Sequence, residues 1–112
     1  MPEAAEPPYL YLTTIGRKTG RPHQIEIWFV EHAGCYYLMS ETPEKSDWVR
    51  NVQQNPAVVF SVGTRNDEPI QGNGRRVDHA AEPELADAVA ALMDAKYNWK
   101  DGQIVELKPG SA

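Results

Sequence analysis

The segments Tyr-Leu-Tyr-Leu-Thr-Thr-Ile (residues 9–15) and Gly-Arg-Lys-Thr-Gly-Arg-Pro (residues 16–22) decide the fold. Aromatic and β-branched residues predict a strand in the first, and two glycines with a proline predict a turn in the second. Residues 23–32 alternate apolar and polar side chains, which predicts a second strand. Ala-Gly at 33–34 then turns the chain tightly into a third strand at 35–40. Strands joined by short turns are antiparallel, so we expect a three-stranded meander.

The rest of the chain predicts two helices and three more strands. A short helix is capped by Thr42 or Ser46, with Pro43 suited to its first position, and ends at Asn55-Pro56. Further elements are strands over 57–63, 69–78 and 104–107, a turn over 65–68, and a helix over 83–96. The order β-β-β-α-β-β-α-β is mainly antiparallel. About six strands with two flanking helices indicate a small closed or split β-barrel.

Length and composition exclude several classes of protein. The chain has 112 residues and a formal net charge of −5, which is typical of one acidic domain. We expect residues 1–8 to form a loose leader, 9–109 the domain, and 110–112 a short tail. No apolar run approaches the roughly 18 residues of a membrane span, and no secretory signal is visible. A single cysteine, Cys35, forms no internal disulfide. These features favour a cytoplasmic protein, and the acidic balance argues against a nucleic-acid partner.

The charge is unevenly distributed. Arg17, Lys18 and Arg21 lie within five residues, and the remainder of the chain carries −8. A tight turn that presents backbone N–H groups among cations suits phosphate or carboxylate. A solvated hairpin tip fits the same residues, and the sequence leaves both interpretations open.

Motifs for self-sufficient catalysis are missing from the sequence. The three histidines are far apart and lack partners at metal-ligand spacing, so no metal site is predicted. Trp48 and Asn51 on the short helix can present an indole and an amide to a ligand, or simply pack and cap. Gly72 and Gly74 share one strand face, where a backbone or a ligand can approach closely.

Three segments taken in order resemble the flavin/deazaflavin oxidoreductase superfamily, which includes deazaflavin-dependent nitroreductases and quinone reductases. They are Leu-Thr-Thr-Ile-Gly-Arg-Lys-Thr-Gly-Arg-Pro (12–22), Trp-Phe (28–29) and Trp-Val-Arg-Asn-Val-Gln-Gln-Asn-Pro (48–56). The resemblance covers about residues 9–108. It implies a split β-barrel that binds coenzyme F-420 (F420), a deazaflavin with a phospholactyl-polyglutamate tail, or FMN. The implied activity is hydride transfer to a small quinone, nitro or enone acceptor.

The resemblance also implies which residues form the site. The cofactor-binding residues would be Arg17, Lys18, Thr19, Arg21, His23, Met39, Ser40, Trp48 and Asn51. The basic turn would hold the phosphate and acidic tail, residues 39–40 would line the deazaflavin edge, and the helix residues would flank the tail or the ring. More cations than one phosphate needs favour F420 over FMN. Tyr97 is the candidate proton donor, or else a packed helix-end tyrosine.

Alternatives to an F420-dependent reductase stay open. One is an FMN-dependent reductase or oxidase on the same barrel. Another is a non-catalytic carrier of a fatty acid, haem or another tetrapyrrole. A third is a module that dimerises through an exposed sheet face, and we predict a homodimer. The physiological acceptor is not indicated, because Tyr97 alone remains of the several tyrosines usual near this helix.

Overall fold

The computed structural model describes residues 9–41, 46–63 and 69–110. Its elements are β1 (Leu10–Ile15), β2 (Pro22–Ile27), β3 (Phe29–His32), β4 (Cys35–Ser40), α1 (Asp47–Gln54), β5 (Ala57–Val62), β6 (Ile70–Arg76), α2 (Pro83–Tyr97) and β7 (Gln103–Pro109). Four predicted features lie outside the described residues: the leader 1–8, a helix start at Thr42 and Pro43, the turn 65–68, and the tail beyond residue 110. Neither described helix is long and apolar enough to span a membrane.

In the described residues, seven strands form one antiparallel sheet in the order β2-β1-β5-β6-β7-β4-β3. This confirms the mainly antiparallel, split-barrel class with two helices. The edge strands β2 and β3 are joined through Trp28 alone, so Ile27 and Phe29 are at most about 7 Å apart. The sheet must therefore curl until its two edges come together.

The predicted single strand over residues 23–32 is wrong, because the chain changes its partner strand there. Ile27 pairs with β1, whereas Phe29 pairs with β4. Phe29 and Val30 are both buried, so the alternation of burial ends at this point. The three-stranded meander is therefore two separate hairpins, and the strand count rises from six to seven. A period-two pattern does not reveal a change of partner strand, because Phe29 continues the apolar spacing of Ile25 and Ile27 across the break.

Apolar side chains form two clusters on opposite faces of the sheet. The barrel interior contains Leu10, Leu12, Phe29, Leu38, Val49, Val52, Val58, Phe60, Val105 and Leu107. The second cluster contains Val30, Tyr37, Met39, Val77, Ala86, Val89, Met93 and Ile104. Helix α1 thus closes the barrel through Val49 and Val52, while α2 covers the outer face of β3 and β4.

A charged network joins α2 to the sheet, away from the basic turn. The buried Glu106 carboxylate accepts from Tyr37 Oη at 2.8 Å and from Arg75 Nε at 3.0 Å. Arg75 also bonds Glu82 beside the start of α2, with Nη1 at 2.6 Å from Oε2. Burial, reinforced by the bond to Glu106, raises the pKa of Tyr37 above its usual range. Its bond to Arg75 lowers the pKa of Glu82.

Glycine at position 74 allows α1 to pack directly on β6. A Cβ atom there would lie 2.8 Å from Val52 Cγ1, closer than packed carbon atoms approach. A Cβ atom at Gly72 would meet the backbone carbonyl oxygen of Lys108. The space that these glycines leave is therefore taken by the protein's own atoms.

Gly74→Ala should lower the free energy of unfolding by about 1–3 kcal/mol, since the added methyl group overpacks the contact with α1. Urea denaturation followed by circular dichroism measures this change. Asn73→Ala, on the opposite face of the same strand, is the control and should stay within about 0.5 kcal/mol of wild type. A Gly74→Ala variant as stable as that control would show that α1 tolerates a shift at this contact.

Candidate functional site

A cavity of about 420 Å³ lies between the β1–β2 turn and α1. Its lining residues are Thr14, Gly16, Arg17, Lys18, Thr19, His23, Gln24, Ile25, Asp47, Trp48 and Asn51. The volume is in the range of small-molecule sites. We call it the turn–helix cavity. It brings together six of the nine residues predicted to bind a cofactor, from parts of the chain about 30 residues apart.

Backbone hydrogen bonds within the turn fix its shape. Gly16 N–H donates to Arg21 O, and Gly20 N–H donates to Gly16 O, both at 2.8 Å. Arg21 N–H donates to Thr19 Oγ1 at 3.2 Å. A Cβ atom at Gly16 would lie 2.7 Å from Thr19 Oγ1 and 2.9 Å from His23 Nε2. An alanine at this position would force the Thr19 hydroxyl and the His23 imidazole, which both line the cavity, to move.

Asn51 links the turn to the helix. Its side chain is buried, with 4% of its surface exposed. Asn51 Oδ1 accepts from Arg17 N–H and from Arg17 Nη1, each at 3.1 Å. Asn51 Nδ2 donates to Thr14 Oγ1 at 3.2 Å, and Thr14 is itself buried. The amide thus holds the backbone and the guanidinium of Arg17 in one place, which makes Asn51 a positioning residue.

The Arg17 guanidinium is enclosed from two sides. Only 17% of its side chain is exposed, whereas 81% of the Asp47 side chain is exposed. Both η nitrogens of Arg17 lie 3.4 Å from Asp47 Oδ1, and Nη1 thus contacts both Asp47 and Asn51. Lys18 and His23 line the same cavity. The cavity therefore presents an excess of positive charge in an otherwise acidic protein.

The structure does not bring the other three predicted cofactor residues into the turn–helix cavity. The Arg21 side chain is exposed outside it. Met39 is packed in the cluster beneath α2 and is 5% exposed. Ser40 is also 5% exposed, and its hydroxyl lies 2.7 Å from Ser46 Oγ.

Tyr97 lies at the end of α2, against the point where β2 passes into β3. Its ring stacks on Trp28 with centroids 4.5 Å apart and planes 3° apart. Its hydroxyl accepts from Phe29 N–H at 3.1 Å and donates to Phe29 O at 3.0 Å. Trp99 contacts Trp28 edge-on, with ring centroids 6.4 Å apart. Trp28 remains 40% exposed and offers a flat aromatic surface.

A larger cavity, of about 690 Å³, lies between α2 and the segment leading into β7. Alanines and the hydrogen-bonded side chains of His79 and Asp87 line it, and its lining includes none of the predicted site residues. Volume alone therefore does not identify the site, and the chemistry of the lining favours the smaller cavity.

Five residues that line the turn–helix cavity were not among the predicted cofactor-binding residues: Thr14, Gly16, Gln24, Ile25 and Asp47. Thr14 and Gly16 lie within the segment 12–22 that carries the resemblance. Gln24 and Ile25 directly follow His23, so their place on the strand that leaves the basic turn could have indicated that they lie near the cavity. Asp47 precedes Trp48, but its approach to Arg17 depends on how α1 docks.

The comparisons with known proteins identify the family. The model for the F420H2-dependent quinone reductase family matches residues 3–104, most of the chain. The chain belongs to that family. It is therefore an oxidoreductase of an F420H2-dependent family, which confirms the enzyme class expected from the resemblance and implies the use of F420.

Solved structures show how widely this barrel occurs. An F420 reductase is 22% identical with a TM-score of 0.66, covering 99% of this chain and 97% of its own. An F420-H2-dependent reductase, FDR-A, is 20% identical with a TM-score of 0.60, covering 96% and 100%. The heme storage protein HutZ from Vibrio cholerae is 20% identical with a TM-score of 0.71, covering 94% and 83%. At these identities the likeness supports the fold alone.

Proposed function

We propose that the turn–helix cavity binds the phosphate and acidic tail of F420, and that the enzyme reduces a small quinone, nitro or enone acceptor. One observation carries this proposal: the basic turn and the Trp48–Asn51 face of α1, both expected to contact the cofactor, line one cavity. The turn is fixed by its own hydrogen bonds, so the site needs little rearrangement to bind an anion.

The residues present fit such a cofactor. A guanidinium, an ammonium group, a hydroxyl and an imidazole are donors that suit phosphate and carboxylate oxygens. These groups belong to Arg17, Lys18, Thr19 and His23. When bound, the deazaflavin supplies the hydride chemistry. The chain's own residues bind the tail, and the half-buried Trp48 limits access of water beside it.

Titration of the purified protein with F420 and, separately, with FMN tests the cofactor assignment. Tryptophan fluorescence is the readout, and Trp48→Phe assigns the signal among the three tryptophans. Saturable quenching by F420, lost in Trp48→Phe, is expected. Quenching by FMN alone would favour a flavin enzyme. Saturable binding of heme without a response to F420 would favour a carrier.

Turnover tests the acceptor. Oxidation of reduced F420 is followed by absorbance with a soluble naphthoquinone, a nitroaromatic compound and an enone, each compared with a reaction without protein. Acceleration by at least one of these acceptors is expected, and none of the three reacting faster than its control would contradict the proposed acceptor class.

We place the acceptor against the exposed aromatic surface of Trp28 and Tyr97. Gln24, which lines the turn–helix cavity, lies four residues before Trp28, at most about 14 Å away along the chain. A flat quinone or nitroaromatic ring stacks favourably on such a surface. A cofactor with its tail in the cavity would thus be anchored on the chain segment that leads to Trp28.

Tyr97→Phe tests whether the hydroxyl donates a proton to the reduced product. Because general acid catalysis contributes about 10²–10⁴-fold, kcat should fall by about 100-fold or more while the Kd for F420 stays unchanged. The phenyl ring keeps the stacking on Trp28, so this variant separates the proton from the packing. A kcat within threefold of wild type would show that the hydroxyl serves only to hold the Phe29 backbone.

A further inference from the structure

The Arg17 guanidinium already has an anionic partner within the protein. Asp47 Oδ1 lies at 3.4 Å from both η nitrogens, whereas Asn51 Oδ1 contacts Nη1 alone. When a ligand enters the cavity, its phosphate or carboxylate would bind the same two nitrogens of Arg17. Arg17 and Asp47 both line the turn–helix cavity.

The contact between these two side chains is loose. Charge-assisted N–H···O bonds are typically about 2.7–2.9 Å long, and this one is longer. Asp47 is 81% exposed and lies in the first turn of α1, so water competes for its carboxylate. By contrast, Arg17 is 17% exposed and is also held from inside by Asn51. Asp47 can therefore move away while Arg17 keeps its position.

We propose that the Asp47 carboxylate is a tethered competitor for the anion site on Arg17, so that an incoming phosphate or carboxylate binds by displacing it. In the free protein Asp47 occupies the outer side of the guanidinium. A bound anion replaces this long contact with a shorter one and also reaches the groups of Lys18 and His23. This assignment rests on the proposed function only in taking the anion to be part of F420.

Asp47→Asn tests the proposal, with inorganic phosphate as the probe. Asparagine keeps the size of the side chain and removes the charge that competes for Arg17. The backbone amide shifts of residues 16–20 in ¹⁵N-labelled protein report binding at this site. Asp47→Asn should lower the Kd for phosphate about threefold or more, the scale expected for removal of an exposed charge pair.

Asp87→Asn is the matched control, since it makes the same change in net charge, from −5 to −4. Asp87 lies on α2, outside the turn–helix cavity; its side chain is 73% exposed and contacts His79. Its Kd for phosphate should equal that of wild type. A Kd for phosphate that is unchanged in Asp47→Asn would overturn the proposal. So would the absence of phosphate-induced changes in the amide shifts of residues 16–20 in both wild type and Asp47→Asn. A higher Kd for phosphate in Asp47→Asn would also overturn it and would show that Asp47 holds Arg17 in place for the ligand.

The outcomes separate this inference from the proposed function. Tighter phosphate binding in Asp47→Asn without any binding of F420 would support the competitor and contradict the cofactor assignment. Saturable F420 binding with equal phosphate affinity in wild type and Asp47→Asn would support the cofactor site and reject the competitor.

Discussion

Replacement of Arg17 and Lys18 together by alanine should weaken F420 binding by about 100-fold or more. Hydrogen bonds to charged groups contribute about 1.5–3 kcal/mol each, and about 3 kcal/mol in total corresponds to this factor. Both side chains line the turn–helix cavity, and Arg17 is held there by Asn51 before any ligand arrives. The Kd is measured by tryptophan fluorescence at several salt concentrations. The dependence of the Kd on salt should become flatter, because fewer charged contacts remain to be screened.

The control is the double replacement of Arg50 and Lys108 by alanine, which makes the same change in net charge. Both residues are exposed and neither lines this cavity. Lys18→Ala alone leaves the contact between Arg17 and Asn51 in place, so it isolates the loss of a cation from any disturbance of the turn. A Kd for F420 at low salt that matches the control would contradict binding of the tail at this turn.

The fold was predictable from the sequence where local chemistry decides it. The turn at 16–22, the tight connection at 33–34 and the helix ending at Asn55-Pro56 each carry their own signals, and all are present in the structure. The break at Trp28 was not predictable, because Ile25, Ile27 and Phe29 keep one period-two spacing across it. It depends on tertiary packing, since Tyr97 from the far end of the chain satisfies the Phe29 backbone.

The candidate site was predictable to the extent that it rests on short motifs. The basic turn and the Trp48–Asn51 pair were each found, but their meeting in one cavity depends on how α1 packs on β6 and β1. The resemblance implies that Met39 lines the deazaflavin edge, and this stays a prediction; the side-chain alternation of β4 places Met39 in the cluster beneath α2. The homodimer and the role of Tyr97 stay predictions.

Replacement of Asn51 should separate the stability of the protein from its affinity for the cofactor. Asn51→Ala removes the buried amide and leaves the Thr14 hydroxyl and both donors of Arg17 without this partner. Unsatisfied buried groups cost about 1–3 kcal/mol each, so we expect a loss of about 2–3 kcal/mol in the free energy of unfolding. The affinity for F420 should fall about tenfold, because Arg17 loses its inner anchor.

Asn51→Asp should lose less stability than Asn51→Ala but more affinity for F420. An aspartate keeps an oxygen that accepts both bonds from Arg17 and loses only the donor to Thr14, so the loss in the free energy of unfolding should stay near 1 kcal/mol. The new carboxylate neutralises the guanidinium from within and repels an incoming anion. We therefore expect a larger loss of F420 affinity than in Asn51→Ala, about 30-fold or more.

Urea denaturation and the fluorescence titration, carried out on both variants, measure the two rankings. Gln53→Ala, an exposed position on the same helix, should match wild type in both. If Asn51 served only to hold α1 against the barrel, affinity would follow stability and Asn51→Ala would be the weaker binder. If the amide instead acts through Arg17 on the charge of the site, Asn51→Ala should be the less stable variant and Asn51→Asp the weaker binder of F420.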